Sequence, residues 1–429
     1  MKRLNAMLIA LSRAIIVSAF WAATRLSNSV KVSGLQHDRG TARSYLAMSH
    51  KRDLDPLILL PSILFHRGWR ALAGNVHFFL RGDAFSPGYL ARMVMHPRWL
   101  SYLLRWLSVG PVLRWLGTYP ADSLQMQLEE WVRKVIQVES DGGKTRAGDI
   151  LAPSIIEELA AATHESNERV ASQPLARLLA WKYHDTLQHV YGPEILSGNV
   201  RRTVQQRAIV RIKKYLGEID AWLWSGGSLY ASAEGQLSPL GLLSPISTGF
   251  HRLMRTAPPE TCVVPIFLTY DFMTTLRFRI FIDFAPAIER APLLPPAELD
   301  AQLRARWLEA ATFTCTQLGS GFLAQASYTG LASFTLDDLA GNIHTQAKTL
   351  AAAGRHVDAH LLNPRKTRKR ARSFLKYAAR HALVRRSAKR AWTPTLNEVP
   401  LNLRPTEVGY DRAPLTYALN ELHEMLNGV

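Results

Sequence analysis

Tyr45-Leu46-Ala47-Met48-Ser49-His50-Lys51-Arg52-Asp53-Leu54-Asp55-Pro56-Leu57-Ile58-Leu59-Leu60 is the stretch that decides the fold. A short apolar run, Tyr45 to Ser49, ends at a histidine. Asp55-Pro56 then supplies a helix N-cap followed by proline at the first helical position, so Leu57 to Phe65 reads as a helix bent at Pro61. Working outward, Asn75 to Leu80 reads as a buried strand, and Ser228 to Ala233 as a strand running into Glu234. Cys262 to Tyr270 is a nearly unbroken apolar run, as expected of a strand buried on both faces. From Arg277 to Ala285, Phe278, Ile280, Ile282 and Phe284 alternate as on a half-buried strand. Arg98 to Leu116 and Arg201 to Leu223 carry helical spacing. Helices alternating with apolar strands predict an α/β fold. The expected architecture is a mixed, mostly parallel sheet flanked by helices, with an inserted helical layer and a mainly helical C-terminal region.

The chain has 429 residues, 47% of them hydrophobic, which is ample for a substantial core and argues against disorder of the whole. Its net charge of +18 favours an anionic partner: phospholipid headgroups, nucleic acid or a phosphorylated substrate. About a dozen lysines and arginines and no acidic residue fall between Asn363 and Trp392. Phe374, Leu375, Tyr377, Ala378 and Leu383 recur there at roughly helical intervals. A solvated basic arm and a basic amphipathic helix lying on anionic lipid are the two readings of that segment. Nucleic acid is not the expected partner, because no base-stacking platform or reader motif accompanies the charge. Cys262 and Cys315 are the only cysteines and lack metal-ligand spacing, so neither a disulfide framework nor a metal site is expected.

From Ala6 to Ala23 the chain is apolar apart from Ser12, Arg13 and Ser18. About eighteen residues is the lower limit for spanning a bilayer, and Arg13 near the middle is costly there. An interfacial, half-immersed helix fits better, the alternatives being a secretory signal or a packed soluble helix.

His50 and Asp55 carry the chemical reading. An imidazole at a strand end can take the proton from an attacking hydroxyl, while a carboxylate fixes its tautomer and stabilises the charged form. Asp55 as a plain helix cap and Glu234-Gly235 as a plain strand-ending turn are the structural alternatives. Pro265 within its apolar run reads as a bulge or a sheet edge. His66, His77, His184 and His189 are taken as structural.

Ser49 to Leu60 resembles the first motif, His-x4-Asp, of the glycerolipid acyltransferase superfamily, which includes glycerol-3-phosphate and 1-acylglycerol-3-phosphate acyltransferases. Leu113 to Pro120 is similar to the family's second block, Ser232-Ala233-Glu234-Gly235 to its third and Val263 to Tyr270 to its fourth. The resemblance covers roughly residues 45 to 285. It implies an acyl-thioester donor, acyl-CoA or acyl carrier protein, as co-substrate with no cofactor. The acceptor hydroxyl, on a glycerol phosphate, lysophospholipid or related lipid, attacks directly. Carried over by position, His50 is the base and Asp55 its orienting partner, Glu234 and Gly235 hold the acceptor, and Pro265 shapes the site near the acyl chain. Asp122-Ser123 and Leu237 stand where the family usually places phosphate-holding arginines. Arg81 and Arg114, with Lys51 and Arg52, are the candidate substitutes, and an acceptor without a phosphate stays open.

On this reading residues 1–30 form a membrane-associated helix, 31–123 and 201–296 the two parts of the acyltransferase domain, and 124–200 a helical insertion. Residues 297–362 form a helical region and 363–429 a basic tail. The resemblance implies a peripheral or monotopic protein on the cytoplasmic face of a bacterial inner membrane. A catalytically silent lipid-binding protein on the same scaffold is the competing expectation.

Overall fold

The computed structural model describes residues 2–38, 40, 43–49, 51, 55–68, 76–80, 110–115, 118–120, 145–178, 195–234, 240–388, 391–395 and 413–427. In chain order the first elements are α1 (Lys2–Ser27), β1 (Ser29–Ser33), β2 (Ser44–Met48), α2 (Asp55–Arg67), β3 (Val76–Leu80), α3 (Gly110–Trp115) and β4 (Thr118–Pro120). Five helices follow: α4 (Ala147–Ile150), α5 (Pro153–Thr163), α6 (Asn167–Ser172), α7 (Leu175–Leu178) and α8 (Gly198–Trp224). Next come β5 (Ser228–Ser232), α9 (Thr248–Thr256), β6 (Cys262–Asp271), β7 (Arg279–Phe284), α10 (Pro296–Ala310) and α11 (Cys315–Tyr328). The chain closes with β8 (Phe334–Thr335), α12 (Leu336–Ala352), α13 (Pro364–Arg380), β9 (Val384–Ala388), β10 (Ala391–Pro394) and α14 (Pro414–Asn427).

The chain is α/β, divided into two compact units. One comprises residues 1–79, 114–118 and 222–429, the other residues 80–113 and 119–221. The second unit has its own apolar core, with Leu151, Ile155, Leu159, Val170, Ile195 and Val204 among its buried residues.

A seven-stranded sheet runs in the order β1-β7-β6-β2-β5-β3-β4. β2 lies in its interior, parallel to β6 on one side and β5 on the other; β5 pairs parallel with β3 and β7 with β1, while β6 and β7 run antiparallel. Every residue of β2, β6 and β7 is buried. For β7 this corrects the half-buried expectation. Its charged side chains find partners inside the protein: Arg279 pairs with Asp358, and Asp283 accepts hydrogen bonds from Ser33 and Thr312.

Pro265 sits in the sheet interior, not at an edge. The β6–β7 ladder ends at Ile266↔Phe284 and resumes only as the bridge Val263↔Ile288, so two residues of β6 face three of the partner chain. The Pro265 carbonyl accepts from Ala285 N at 2.9 Å. In an extended strand the N–H and C=O of one residue point to the same side, so the missing proline donor falls at this irregularity and not against β2.

The segment 363–429 contains two packed helices. On α13, Ala371, Phe374, Leu375 and Ala378 are buried, and the helix packs against α11 and α12. The apolar face that the sequence offered to lipid is therefore covered by protein, while Arg365, Lys366, Arg368, Lys369, Arg372 and Lys376 stay exposed. Among the described residues no helix is long and apolar enough to cross a membrane.

Candidate functional site

Three parallel strands bring their carboxyl ends together, because Met48 of β2 is level with Ser232 of β5 and Ile266 of β6. In open α/β sheets the crevice beyond such strand ends is where ligands bind. β6 extends five residues past this level, to Asp271, and the chain leaving β2 follows it. Ser49 N donates to Ile266 O at 3.0 Å, and the Ser49 hydroxyl accepts from Leu268 N at 3.3 Å.

Asp55 opens α2 and is wholly buried. Lys51 N donates to its Oδ2 at 2.7 Å, and the Tyr270 hydroxyl donates to its Oδ1. A carboxylate out of water needs such partners, and the positive end of the α2 dipole adds to them. On the next strand Tyr230 is fully buried with its hydroxyl on Met48 Sδ. Burial, then the charge of Asp55 and then Tyr45, push that phenol well above its ordinary pKa, so it remains a proton donor.

Lys51 is also buried. Its ammonium lies 4.1 Å from the centre of the Phe267 ring and forms an ion pair with Glu421 of α14. Gln317 donates to the second oxygen of Glu421, while its own carbonyl caps α11 through Thr314. One turn along α14, Glu424 Oε2 accepts from Leu243 N at 2.6 Å, and next to Glu421 Asn420 Nδ2 donates to Leu240 O at 2.9 Å. Burial raises the Glu424 carboxyl pKa. Gly241 permits this approach: its φ is +79° and a Cβ there would lie 2.3 Å from Tyr417 O.

The same turn holds Glu234, whose Oε1 accepts from Ser244 N at 2.6 Å. Arg304 donates to Ser244 O at 2.7 Å, and Ser247 N donates to Ala233 O at 2.8 Å. Glu234 is 3% exposed, so its carboxylate organises the turn that follows β5. The C-terminal helix thus grips both halves of the site: the segment between β2 and α2 through Lys51, and the Glu234 turn through Leu240 and Leu243.

Of the sequence-predicted residues, Asp55, Glu234 and Pro265 lie on neighbouring strands or just beyond their ends. His50, Gly235 and Arg81, with His184 and His189, lie outside the described residues, as does the side chain of Arg114. His66 bonds the Asp38 carbonyl at 2.9 Å, and His77 stacks on Trp222. Tyr270, Tyr230, Gln317, Glu421 and Glu424 were not legible as site residues, because each acts through a partner distant in sequence. The one available signal was a tyrosine ending the apolar run of β6. No group of three or more His, Cys, Asp or Glu side chains among the described residues could hold a metal ion.

No protein-family model matches the chain, and a search of curated proteins likewise returns no match.

Proposed function

We propose that the chain is a membrane-associated O-acyltransferase. It moves a fatty acyl group from acyl-CoA or acyl carrier protein to a hydroxyl of a glycerol phosphate, lysophospholipid or related lipid, at the cytoplasmic face of a bacterial inner membrane. The observation that carries the reading is the buried Asp55 carboxylate. It is fixed by the Lys51 amide and the Tyr270 hydroxyl beside parallel strand ends that also deliver Glu234. The sequence resemblance supplies the base, His50.

In this mechanism the His50 imidazole removes the acceptor's hydroxyl proton as that oxygen attacks the thioester carbonyl carbon. Asp55 orients the ring and stabilises the imidazolium that forms. Collapse of the tetrahedral intermediate breaks the C–S bond, and the imidazolium returns its proton to the departing thiolate. Ester and thiol are the products, and no acyl-enzyme is formed.

Purified protein with labelled acyl-CoA or acylated carrier protein and a panel of acceptors including lysophosphatidate should yield labelled lipid. His50→Ala should lower turnover by about 10²–10⁴-fold, and Asp55→Asn should follow in the same direction. Unchanged turnover in His50→Ala rejects the mechanism. A second reading, a catalytically silent lipid-binding protein, draws support from Glu234, whose buried carboxylate is engaged by the Ser244 amide. Lipid binding without transfer to any acceptor from either donor would select it.

A further inference from the structure

A cavity of about 400 Å³ opens where α1 hands the chain to β1, lined by Arg25, Asn28, Ser29, Val30, Lys31 and Arg277 among others. All three cations are exposed at the residue level and no acidic side chain lines the cavity. Arg25 is braced against the Trp21 ring, 4.5 Å from its centre, and Arg277 donates to Asn28 O at 2.9 Å. Apolar side chains stand beside the charges: Leu26, next to Arg25, is 80% exposed, and Leu276, next to Arg277, is 38% exposed.

The rest of α1 continues the pattern. Ala10 and Val17 are buried, whereas Met7, Leu11, Ile15, Ala22 and Leu26 are exposed, with Ser18 and Ala19 exposed at the turn between Ile15 and Ala22. A helix packed on one side with an apolar stripe facing out, ending in tryptophan and arginine, has the chemistry of a bilayer interface. The exposed face of α13 carries more cations, but its apolar residues are buried, so it offers charge without insertion.

The register ties this edge to the candidate site. Val30 is level with Ile280, and Ile280 with Tyr270, whose hydroxyl holds Asp55. Two strand spacings, roughly 10 Å, separate Val30 from Tyr270.

We infer that Arg25, Lys31 and Arg277 form a headgroup site for anionic phospholipid, and that the outer stripe of α1 enters the same bilayer beside it. This docks the sheet on the membrane by the end that carries Asp55 and Glu234. The inference deepens the membrane reading proposed above but needs no catalysis for its test.

The 429-residue chain is partitioned onto vesicles of phosphatidylcholine alone and of phosphatidylcholine mixed with phosphatidylglycerol. Each basic side chain near an anionic surface is worth about fivefold in partitioning, so Arg25→Gln/Lys31→Gln/Arg277→Gln should lose roughly a hundredfold on the anionic vesicles. Arg365→Gln/Lys369→Gln/Lys376→Gln, with the same change in net charge, should keep most of the binding. Leu11→Ser/Ile15→Ser should weaken retention on both vesicle types. Arg25→Gln/Lys31→Gln, which leaves the Arg277–Asn28 bond in place, should retain most of the triple variant's loss and guards against misfolding. Equal losses in the two triple variants, or wild-type partitioning of the Arg25 triple, overturn the proposal. Vesicle binding is read without substrate, so its failure leaves the acyl-transfer assay of His50→Ala to be judged separately.

Discussion

A carboxylate wholly out of water must be held, and Asp55 is held through one oxygen by an amide four residues back and through the other by a phenol 215 residues on. Tyr270→Phe keeps the ring and removes only the hydroxyl. A hydrogen bond to a charged group contributes about 1.5–3 kcal/mol, so the variant should lose stability of that order in urea denaturation. Its turnover, in the proposed reaction, should fall less than that of His50→Ala, because the Lys51 amide still holds Asp55. Wild-type stability in Tyr270→Phe would mean that the hydroxyl does not support the carboxylate. Sequence could show the Asp55-Pro56 start of a helix, since that signal is local. It could not show Tyr270 as a partner, because the contact depends on β6 extending past β2.

At the scale of elements, apolar runs marked strands, but the alternation of β7 read as half-buried although every residue of that strand is buried. β2, β3, β5 and β6 were legible as apolar runs, and α2 and α8 as helices, while β1 was not: Ser-Val-Lys-Val-Ser is too polar and short to declare a strand outside its pairing with β7. Charge density likewise makes Asn363 to Trp392 read as a solvated arm, although α13 buries Phe374 and Leu375. The apolar face itself was legible at helical spacing; that α11 and α12 cover it was not. The same holds for α14, where Glu421 looks solvent-facing until Lys51 is placed beside it. A buried pair broken on one side leaves an uncompensated charge, costing about 3–5 kcal/mol, whereas apolar replacement of both sides is often neutral or stabilising. Lys51→Met should therefore be strongly destabilised, and Lys51→Met/Glu421→Leu should recover most of the loss. Denaturant midpoints of the single and double variants decide it; a double variant no more stable than Lys51→Met would show that the two residues are not coupled.

For the molecule as a whole, folding carries several titratable groups out of water and so ties stability to pH. Burial first, then the charge of Arg13, lowers His77 from 6.5 to about 4, with its ring stacked 3.7 Å from Trp222. Because the folded value lies below the unfolded one, the neutral ring's contribution is fully present above about pH 6.5. It is lost as pH falls toward 4, since the unfolded chain takes up the proton first. Asp271 and Asp283 oppose this trend. Burial raises both, so the folded state binds protons that the unfolded state releases, and their cost at neutral pH relaxes on acidification. The observed slope is a difference of these terms, and only a variant isolates one of them. His77→Phe retains an aromatic ring against Trp222 and removes the titration. The gap in unfolding free energy between wild type and His77→Phe should be flat above about pH 7 and should shift against the wild type between pH 6.5 and about 4. Urea denaturation across that range measures it, and a gap independent of pH would place the His77 ring in water in the folded protein.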